Sequence, residues 1–445
     1  MIWETESQVI VMLTNPFEKG KKKCQKYWPD YNQQKKYQSF NITCVHEEVL
    51  GCYTRRSLII AYNNNTRNIT QFHYTTWPDH SVPLTTSGLH RFKKAVLEQQ
   101  QVTKQNKPIV VHCSDGAGRT GTFIAFDSLT MEMQEKTCIN VFETVINLRK
   151  HRMDMVQNVK QYMLLHKLAA EVYILKQTDT PLMDLDRKIR DLERKESGFT
   201  VEMKKLASLQ FEDHPYDHSK INAGAIPSAM YYNASYVETY GCADSILIAA
   251  KGPTNRTAIN FWGAVLSNKV HTIVSLRSMD EELKHPCFPT VKKPSIQFGE
   301  ITLSLVESKG PSCDLKEQTM KIHYGTNESF EIGFYHFCGW MPDTVPDSGN
   351  EVIHLIKKAQ DSQKQRNGNI LVYCNDGVGR TGAFLCLLNL TERAKLEGKV
   401  DVLKEVKDMR DMRKGMVNTE LLYRYVYYCM GEFAATFDVY SNFKG

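Results

Sequence analysis

Residues 108–123 read Pro108-Ile-Val-Val-His-Cys-Ser-Asp-Gly-Ala-Gly-Arg-Thr-Gly-Thr-Phe123. Ile109, Val110 and Val111 predict a buried strand. Gly116 to Gly121 predict a tight loop that runs into a helix continuing through Phe123, Ile124 and Phe126. Cys113 and Arg119 stand at the junction with five residues between them. A glycine-rich loop at a helix N-terminus can turn its backbone N–H groups toward an anion, and the helix end adds partial positive charge. The same field favours a thiolate on Cys113. The planar fork of Arg119 can hold two phosphate oxygens. The arrangement suits attack of sulfur on phosphorus.

A Cys-x5-Arg pair alone recurs by chance, and a lone cysteine is most often a small buried hydrophobe. The whole string from His112 to Gly121, set behind a Val/Ile strand, is far more specific. It resembles the signature of the classical protein tyrosine phosphatases. The resemblance implies an α/β fold, a twisted mixed β-sheet flanked by helices. It implies a phosphate cradle built from His112, Ser114, Asp115, Gly116, Ala117 and Gly118, and chemistry that needs neither cofactor nor metal.

Bulk properties agree with a soluble enzyme. The chain has 445 residues, 42% hydrophobic and 24% charged, enough for two or three domains with sizeable cores. A net charge of +6 at this length gives no argument for a nucleic-acid partner. No apolar run reaches transmembrane length and the N-terminus is not a signal peptide, so the expected compartment is the cytoplasm, with membrane association only through a segment absent from this chain. The twelve cysteines form no Cys-x-x-Cys pair, so no zinc site is expected. A reactive thiol fits a reducing compartment, and the sequons at Asn41 and Asn68 read as chance matches.

The chain repeats itself. Val-His-Cys113-Ser-Asp-Gly-Ala-Gly-Arg119-Thr-Gly returns 261 residues later as Val-Tyr-Cys374-Asn-Asp-Gly-Val-Gly-Arg380-Thr-Gly. Arg152-Met-Asp-Met-Val returns as Arg413-Lys-Gly-Met-Val, Trp77 as Trp340, and the apolar strand at 9–13 as residues 272–276. Receptor-type tyrosine phosphatases resemble this layout, with two phosphatase domains in tandem on the cytoplasmic side. The expected organisation is a first domain over 1–177, a helical linker with opening helices over 178–207, and a second domain over 208–445. Leu185, Ile189 and Leu192 give the linker its helical spacing. The repeat places Met1 opposite Ala264, and the first copy shows no counterpart of Phe211 to Trp262. The first domain therefore reads as N-terminally shortened, with little phosphatase activity expected of it and a single unfolding transition from the second domain.

Displacement at a phosphate monoester requires a nucleophile, charge neutralisation and a proton for the leaving phenolate. Cys113 is expected to form a phospho-cysteine, with Arg119 and the loop amides stabilising the equatorial oxygens. Thr120 can donate a hydrogen bond to the sulfur. The acid should be a carboxylic acid on a loop that closes over substrate. Two Trp-Pro-Asp strings exist, ending at Asp30 and Asp79. Asp79 follows a strand, precedes Val82-Pro83 and lies 34 residues before Cys113, the spacing the family shows; it is preferred, with Trp77 as hinge anchor. Gln157 and Gln161 match the family's pair of glutamines, whose amides can donate and accept at once and so position a water. The charged stretch from Glu18 to Trp28 resembles the family's mobile loop beside the site, with Glu18 and Lys23 at its rim. Strands are expected at 8–13, 38–48, 56–62 and 71–75, a turn at 63–66, and helices from Thr85 or Thr86 to about 102, from Asn140 to Arg149 and over 159–175.

The second copy keeps Cys374 and Arg380 but little else. Pro342 stands at the acid position, Asn418 and Leu422 replace Gln157 and Gln161, and Tyr373 replaces His112. In the stretch that resembles the substrate loop, Phe211 and Met230 stand where the family has tyrosine and aspartate. This domain is expected to be inactive and regulatory, with Cys374 a relic or a redox-sensitive thiol. The expected function is hydrolysis of phosphotyrosine in proteins. The alternatives are a non-catalytic remnant serving as a signalling module, and a dual-specificity phosphatase, against which Trp77-Pro-Asp79, the paired glutamines and the tandem layout all argue.

Overall fold

The computed structural model describes residues 1–78, 81–103, 107–136, 138–175, 178–195, 197–209, 220–221, 231–240, 246–312, 314–325 and 328–441. The chain divides into two compact units, Met1–Gln177 and Thr178–Gly445.

In the first unit, β1 (Val9–Met12) is buried along its whole length. Successive side chains of a strand point to opposite faces. Accordingly Val9, Val11 and Leu13 join the core that includes Leu89, Phe92, Phe126 and Leu165, while Ile10 and Met12 join Trp28, Leu58, Ile60 and Ile69 on the other side. A hairpin follows, β2 (Phe17–Glu18) and β3 (Lys21–Lys22). Then come β4 (Gln34–Tyr37), β5 (Phe40–Leu50), β6 (Tyr53–Tyr62) and β7 (Asn65–Tyr74), an antiparallel meander. Helix α1 (Ser87–Val102), β8 (Val110–His112), α2 (Gly118–Glu135), α3 (Val141–His151) and α4 (Val159–Leu175) complete the unit. Among the described residues the sheet runs β4-β5-β6-β7-β1-β8, with β1 parallel to both β7 and β8. The register of Met12 with His112 brings the end of β1 level with the cysteine that follows β8.

The second unit opens with β9 (Thr180–Pro181), a 3-10 turn, α5 (Leu185–Arg194) and α6 (Gly198–Ser208). Leu185, Ile189 and Leu192 form the buried face of α5, as their spacing predicts. The unit continues with β10 (Ala234–Val237), β11 (Leu247–Lys251), α7 (Ala258–Ser267), β12 (Val270–Ser275), α8 (Met279–Leu283), β13 (Ser295–Phe298), β14 (Ile301–Ser312), β15 (Leu315–Tyr324) and β16 (Glu328–Phe337). It ends with α9 (Asn350–Arg366), β17 (Asn369–Cys374), α10 (Gly379–Glu397), β18 (Lys399–Val400), α11 (Val402–Met412) and α12 (Glu420–Ser441). Its larger sheet runs β10-β11-β17-β12-β16-β15-β14-β13. From β17 to β13 it repeats the first sheet strand for strand; β11 and β10 lie beyond. Among the described residues no helix is long and apolar enough to cross a membrane.

Several boundaries depart from expectation. The strand expected at 71–75 is the second half of β7, which begins at Asn65 because Asn63 and Asn64 both take positive φ (45° and 63°) and close a two-residue hairpin with β6. Its first residues are polar and carry no apolar run to find. Thr86 stands at the N-cap of α1, but its hydroxyl makes no cap hydrogen bond; its backbone is already helical (φ −93°, ψ −25°). Asn140 lies outside α3 as its N-cap, its side chain accepting from the Glu143 amide at 3.1 Å.

One buried group makes the first unit sensitive to acid. His73 on β7 is 3% exposed, lies 3.0 Å from the Thr14 carbonyl oxygen and 3.4 Å from an Arg56 nitrogen. Burial, then the Arg56 charge, depress its pKa from 6.5 to about 4. The unfolded chain takes up a proton on this ring as pH falls through 6.5, whereas the folded chain does so only near 4. The contribution is therefore complete above pH 6.5 and lost on descending toward 4, about 3 kcal/mol in all. Urea unfolding followed between pH 7 and 4.5 should show this slope, and His73→Gln should flatten it; an equal slope in the variant would rule His73 out as its source.

Candidate active site

Cys113 follows β8 directly and α2 begins at Gly118, so the loop between them hangs over a helix N-terminus. The packing explains the glycine at 121: a Cβ there would lie 2.5 Å from the Val156 nitrogen. Helix α2 thereby packs against the segment that carries Gln157. Both glutamine side chains converge on the loop. A Cβ on Gly118 would meet the Gln161 amide nitrogen at 2.9 Å and the Gln157 amide oxygen at 3.0 Å. Gln161 is 3% exposed and its amide oxygen accepts from the Gln157 backbone at 2.8 Å.

Arg119 is buried and its guanidinium is fully directed. It meets the Glu18 carboxylate as a fork on a fork, at 2.7 and 2.8 Å, and donates to the Leu13 carbonyl at 3.0 Å. Glu18 also accepts from Thr14 and from the Asn15 amide, each at 3.0 Å. Burial pushes the Glu18 carboxyl up, but Arg119 and these donors outweigh it and hold the group below its usual range. The stretch read as a charged loop is the β2–β3 hairpin. Lys19 and Gly20 at its tip have φ of 48° and 75°, the pair of positive angles a two-residue turn requires, and Gly20 supplies one without strain. The turn sets Glu18 opposite Lys21 and aims its carboxylate at Arg119. Glu18 thus positions the arginine. Lys23 contributes its carbonyl, which accepts from the Ser114 hydroxyl at 3.0 Å.

His112 points away from the cradle. One ring nitrogen lies 2.8 Å from the Tyr27 hydroxyl and the other 3.1 Å from the Cys113 carbonyl. Burial lowers its pKa, which favours the neutral ring. Tyr27 is a partner the sequence reading missed, although it stands in the Lys-Tyr-Trp-Pro string. Arg152 is another: it donates to the Asp115 carbonyl at 3.0 Å and lies 3.1 Å from where a Cβ on Gly116 would be. Its signal was the recurrence of the Arg152 string at Arg413, which likewise donates to the Gly377 carbonyl at 2.8 Å.

Thr120 departs from expectation. Its hydroxyl is buried without a hydrogen-bond partner, so it does not donate to Cys113. The sulfur turns instead toward Asp115, 3.3 Å away, and the Asp115 carboxylate also accepts from the Ala117 amide at 3.1 Å. Trp77 is 2% exposed and its indole donates to the Ser81 carbonyl at 3.0 Å. Asp79, between them in sequence, lies outside the described residues. Asp30 is exposed and ion-paired with Lys26.

The second unit repeats this frame with changed parts. Arg380 forks onto Glu281 at 2.8 and 2.8 Å and donates to the Trp340 carbonyl at 2.8 Å. Trp340 donates to the Thr344 carbonyl at 3.0 Å, matching Trp77 and Ser81. A Cβ on Gly379 would meet Asn418 and Leu422, the positions of the two glutamines. Thr381 donates to Cys374 at 3.1 Å, the bond expected of Thr120. Burial, then the Asp376 charge, raise the Cys374 pKa. Tyr373 is buried and donates to Glu282 at 3.1 Å. Phe211 and Met230 lie outside the described residues.

The family model for protein-tyrosine phosphatase matches residues 1–171 and 211–432. Human receptor-type tyrosine-protein phosphatase epsilon is 32% identical over the whole chain, which spans 69% of that protein. Mouse receptor-type tyrosine-protein phosphatase alpha is 31% identical, again over the whole chain, which spans 57% of it. Tyrosine-protein phosphatase Lar of Drosophila melanogaster is 29% identical over 99% of the chain and 23% of its own length. Two matched regions, two sheets of one topology and two Cys-x5-Arg loops at strand-to-helix junctions lead to one conclusion: the chain belongs to the protein-tyrosine phosphatase family, with two family regions in tandem.

Proposed function

We propose that, against the weak activity expected of a shortened first domain, this chain hydrolyses phosphotyrosine in proteins through a phospho-cysteine on Cys113, within a catalytic domain spanning 1–177 that has a core of its own. The observation that supports it most is the convergence at one strand-to-helix loop of Cys113, the bidentate-held Arg119 and the amides of Gln157 and Gln161. Sulfur attacks phosphorus, and Arg119 with the loop amides carries the charge that gathers on the equatorial oxygens. Asp79 donates the proton that the leaving phenolate needs. Gln157 and Gln161 then orient a water, Asp79 takes its proton, and attack on phosphorus frees the thiolate and inorganic phosphate. The tyrosine preference follows the names of the receptor-type relatives.

The helices within 178–207 and the domain over 208–445 serve a non-catalytic, regulatory role. Leu422 can orient no water and the acid position holds Pro342. The reading places both domains in the cytoplasm. It is tested by mixing the full chain with a phosphotyrosyl peptide, quenching in acid and mapping phosphorylated cysteine by mass spectrometry, with a phosphoseryl peptide in parallel. Label on Cys113 from the tyrosyl peptide alone is expected. Label confined to Cys374, or equal turnover of the seryl peptide, would overturn the assignment.

A further inference from the structure

The loop that should receive a phosphate already holds an anion of its own. Asp115 lies two residues beyond Cys113, and its carboxylate accepts from the Ala117 amide at 3.1 Å and sits 3.3 Å from the Cys113 sulfur. These are groups that a bound phosphate requires. The second loop repeats the arrangement: Asp376 lies 3.0 Å from the Cys374 sulfur and accepts from the Val378 and Gly379 amides at 3.0 and 3.3 Å. The two loops differ at their second, fourth and seventh shared positions, where His112, Ser114 and Ala117 face Tyr373, Asn375 and Val378. In both, the carboxylate meets the cysteine sulfur and the amide two residues on; Asp376 alone accepts from the next amide as well.

The charges make the consequence definite. Arg119 is the cation of the cradle, and Glu18 already answers it with a bidentate carboxylate. A thiolate on Cys113 and the Asp115 carboxylate leave the loop negative before a phosphate monoester dianion arrives.

We propose that Asp115 is a built-in competitor of the substrate phosphate, occupying the Ala117 amide of the cradle in the resting loop and damping the first site until the carboxylate is displaced. This deepens the phosphatase reading above and rests on it. The contact between Asp115 and Ala117 is also a local turn, one that an uncharged acceptor could make. A purely structural aspartate would be served equally well by asparagine and harmed by alanine; a competitor is relieved by both.

The test uses the full chain with Asp115→Asn and Asp115→Ala, read by kcat/KM on a phosphotyrosyl peptide and by the dissociation constant for orthovanadate measured by calorimetry. Removing a like charge at this range should raise kcat/KM and tighten vanadate binding by about 10- to 100-fold in both variants. Asp115→Asn keeps the turn, so it carries the test if the alanine variant does not fold. Tighter vanadate binding without peptide turnover in any variant would defeat the phosphatase reading and leave the competitor standing. Vanadate binding unchanged or weaker in Asp115→Asn would overturn the competitor itself.

Discussion

Cys113→Ser in the full chain should lower turnover of a phosphotyrosyl peptide by roughly 10⁴-fold or more, the scale on which removal of an attacking group is felt when the rest of a site acts through it. In the proposed mechanism Arg119, the loop amides and the glutamines all serve the sulfur–phosphorus bond, so little remains for them to do once sulfur is replaced by a hydroxyl that is far harder to ionise. Serine keeps the shape of the site, and the protein should bind substrate while failing to turn it over. Cys374→Ser is the control. With Pro342 aligned to the acid position and Asn418 and Leu422 at those of the glutamines, the second cysteine is proposed to lack both an acid and a positioned water, so its loss should leave turnover close to that of the parent. Steady-state assays of the two variants decide the matter: a comparable loss from Cys374→Ser would show that the second unit carries the reaction.

Asp79→Ala should slow turnover by about 10²–10⁴-fold, the usual worth of general acid catalysis. The loss should appear in kcat with substrate affinity retained, because Arg119 and the loop remain. It should also depend on the leaving group: an aryl phosphate whose phenol is a strong acid needs no proton, and on it the variant should approach the parent. Asp30→Ala should do little. Trp28 before it is buried, with the Arg56 guanidinium over its ring, and Asp30 itself faces solvent beside Lys26. Trp77 is buried too, but with its indole bonded to Ser81 across the segment that contains Asp79. Equal effects at the two aspartates would refute the choice between them.

The residues proposed to carry the chemistry each lie in a contiguous string. The loop after β8, the two tryptophans and the paired glutamines could be read from their neighbours alone. The strand at 9–13 and helix α4 were likewise visible, the first as an apolar run and the second as an amphipathic one. What stayed hidden depends on side chains meeting across the fold. Glu18, read as a residue at the rim of the site, lies 101 residues before Arg119, and nothing in the Lys-rich stretch tells that a hairpin will aim its carboxylate at that guanidinium. Asp115 looked like one more loop residue until its carboxylate was seen among the amides. Thr120 misled for a similar reason: sequence placed a hydroxyl near the sulfur, but the sulfur had a nearer partner.

The sheets differ in one respect that bears on how the two loops can behave. Among the described residues β8 is an edge strand with β1 as its neighbour, whereas β17 lies between β11 and β12. The first loop is tethered to β1, through the Leu13 amide to the His112 carbonyl at 2.9 Å and through Arg119 to the Leu13 carbonyl. The second is clamped on both sides, with the Gly252 amide bonded to the Cys374 carbonyl at 2.7 Å and Gly377 set against the backbone of Ala250. In the second loop any reshaping around an incoming oxyanion must drag both neighbouring strands with it.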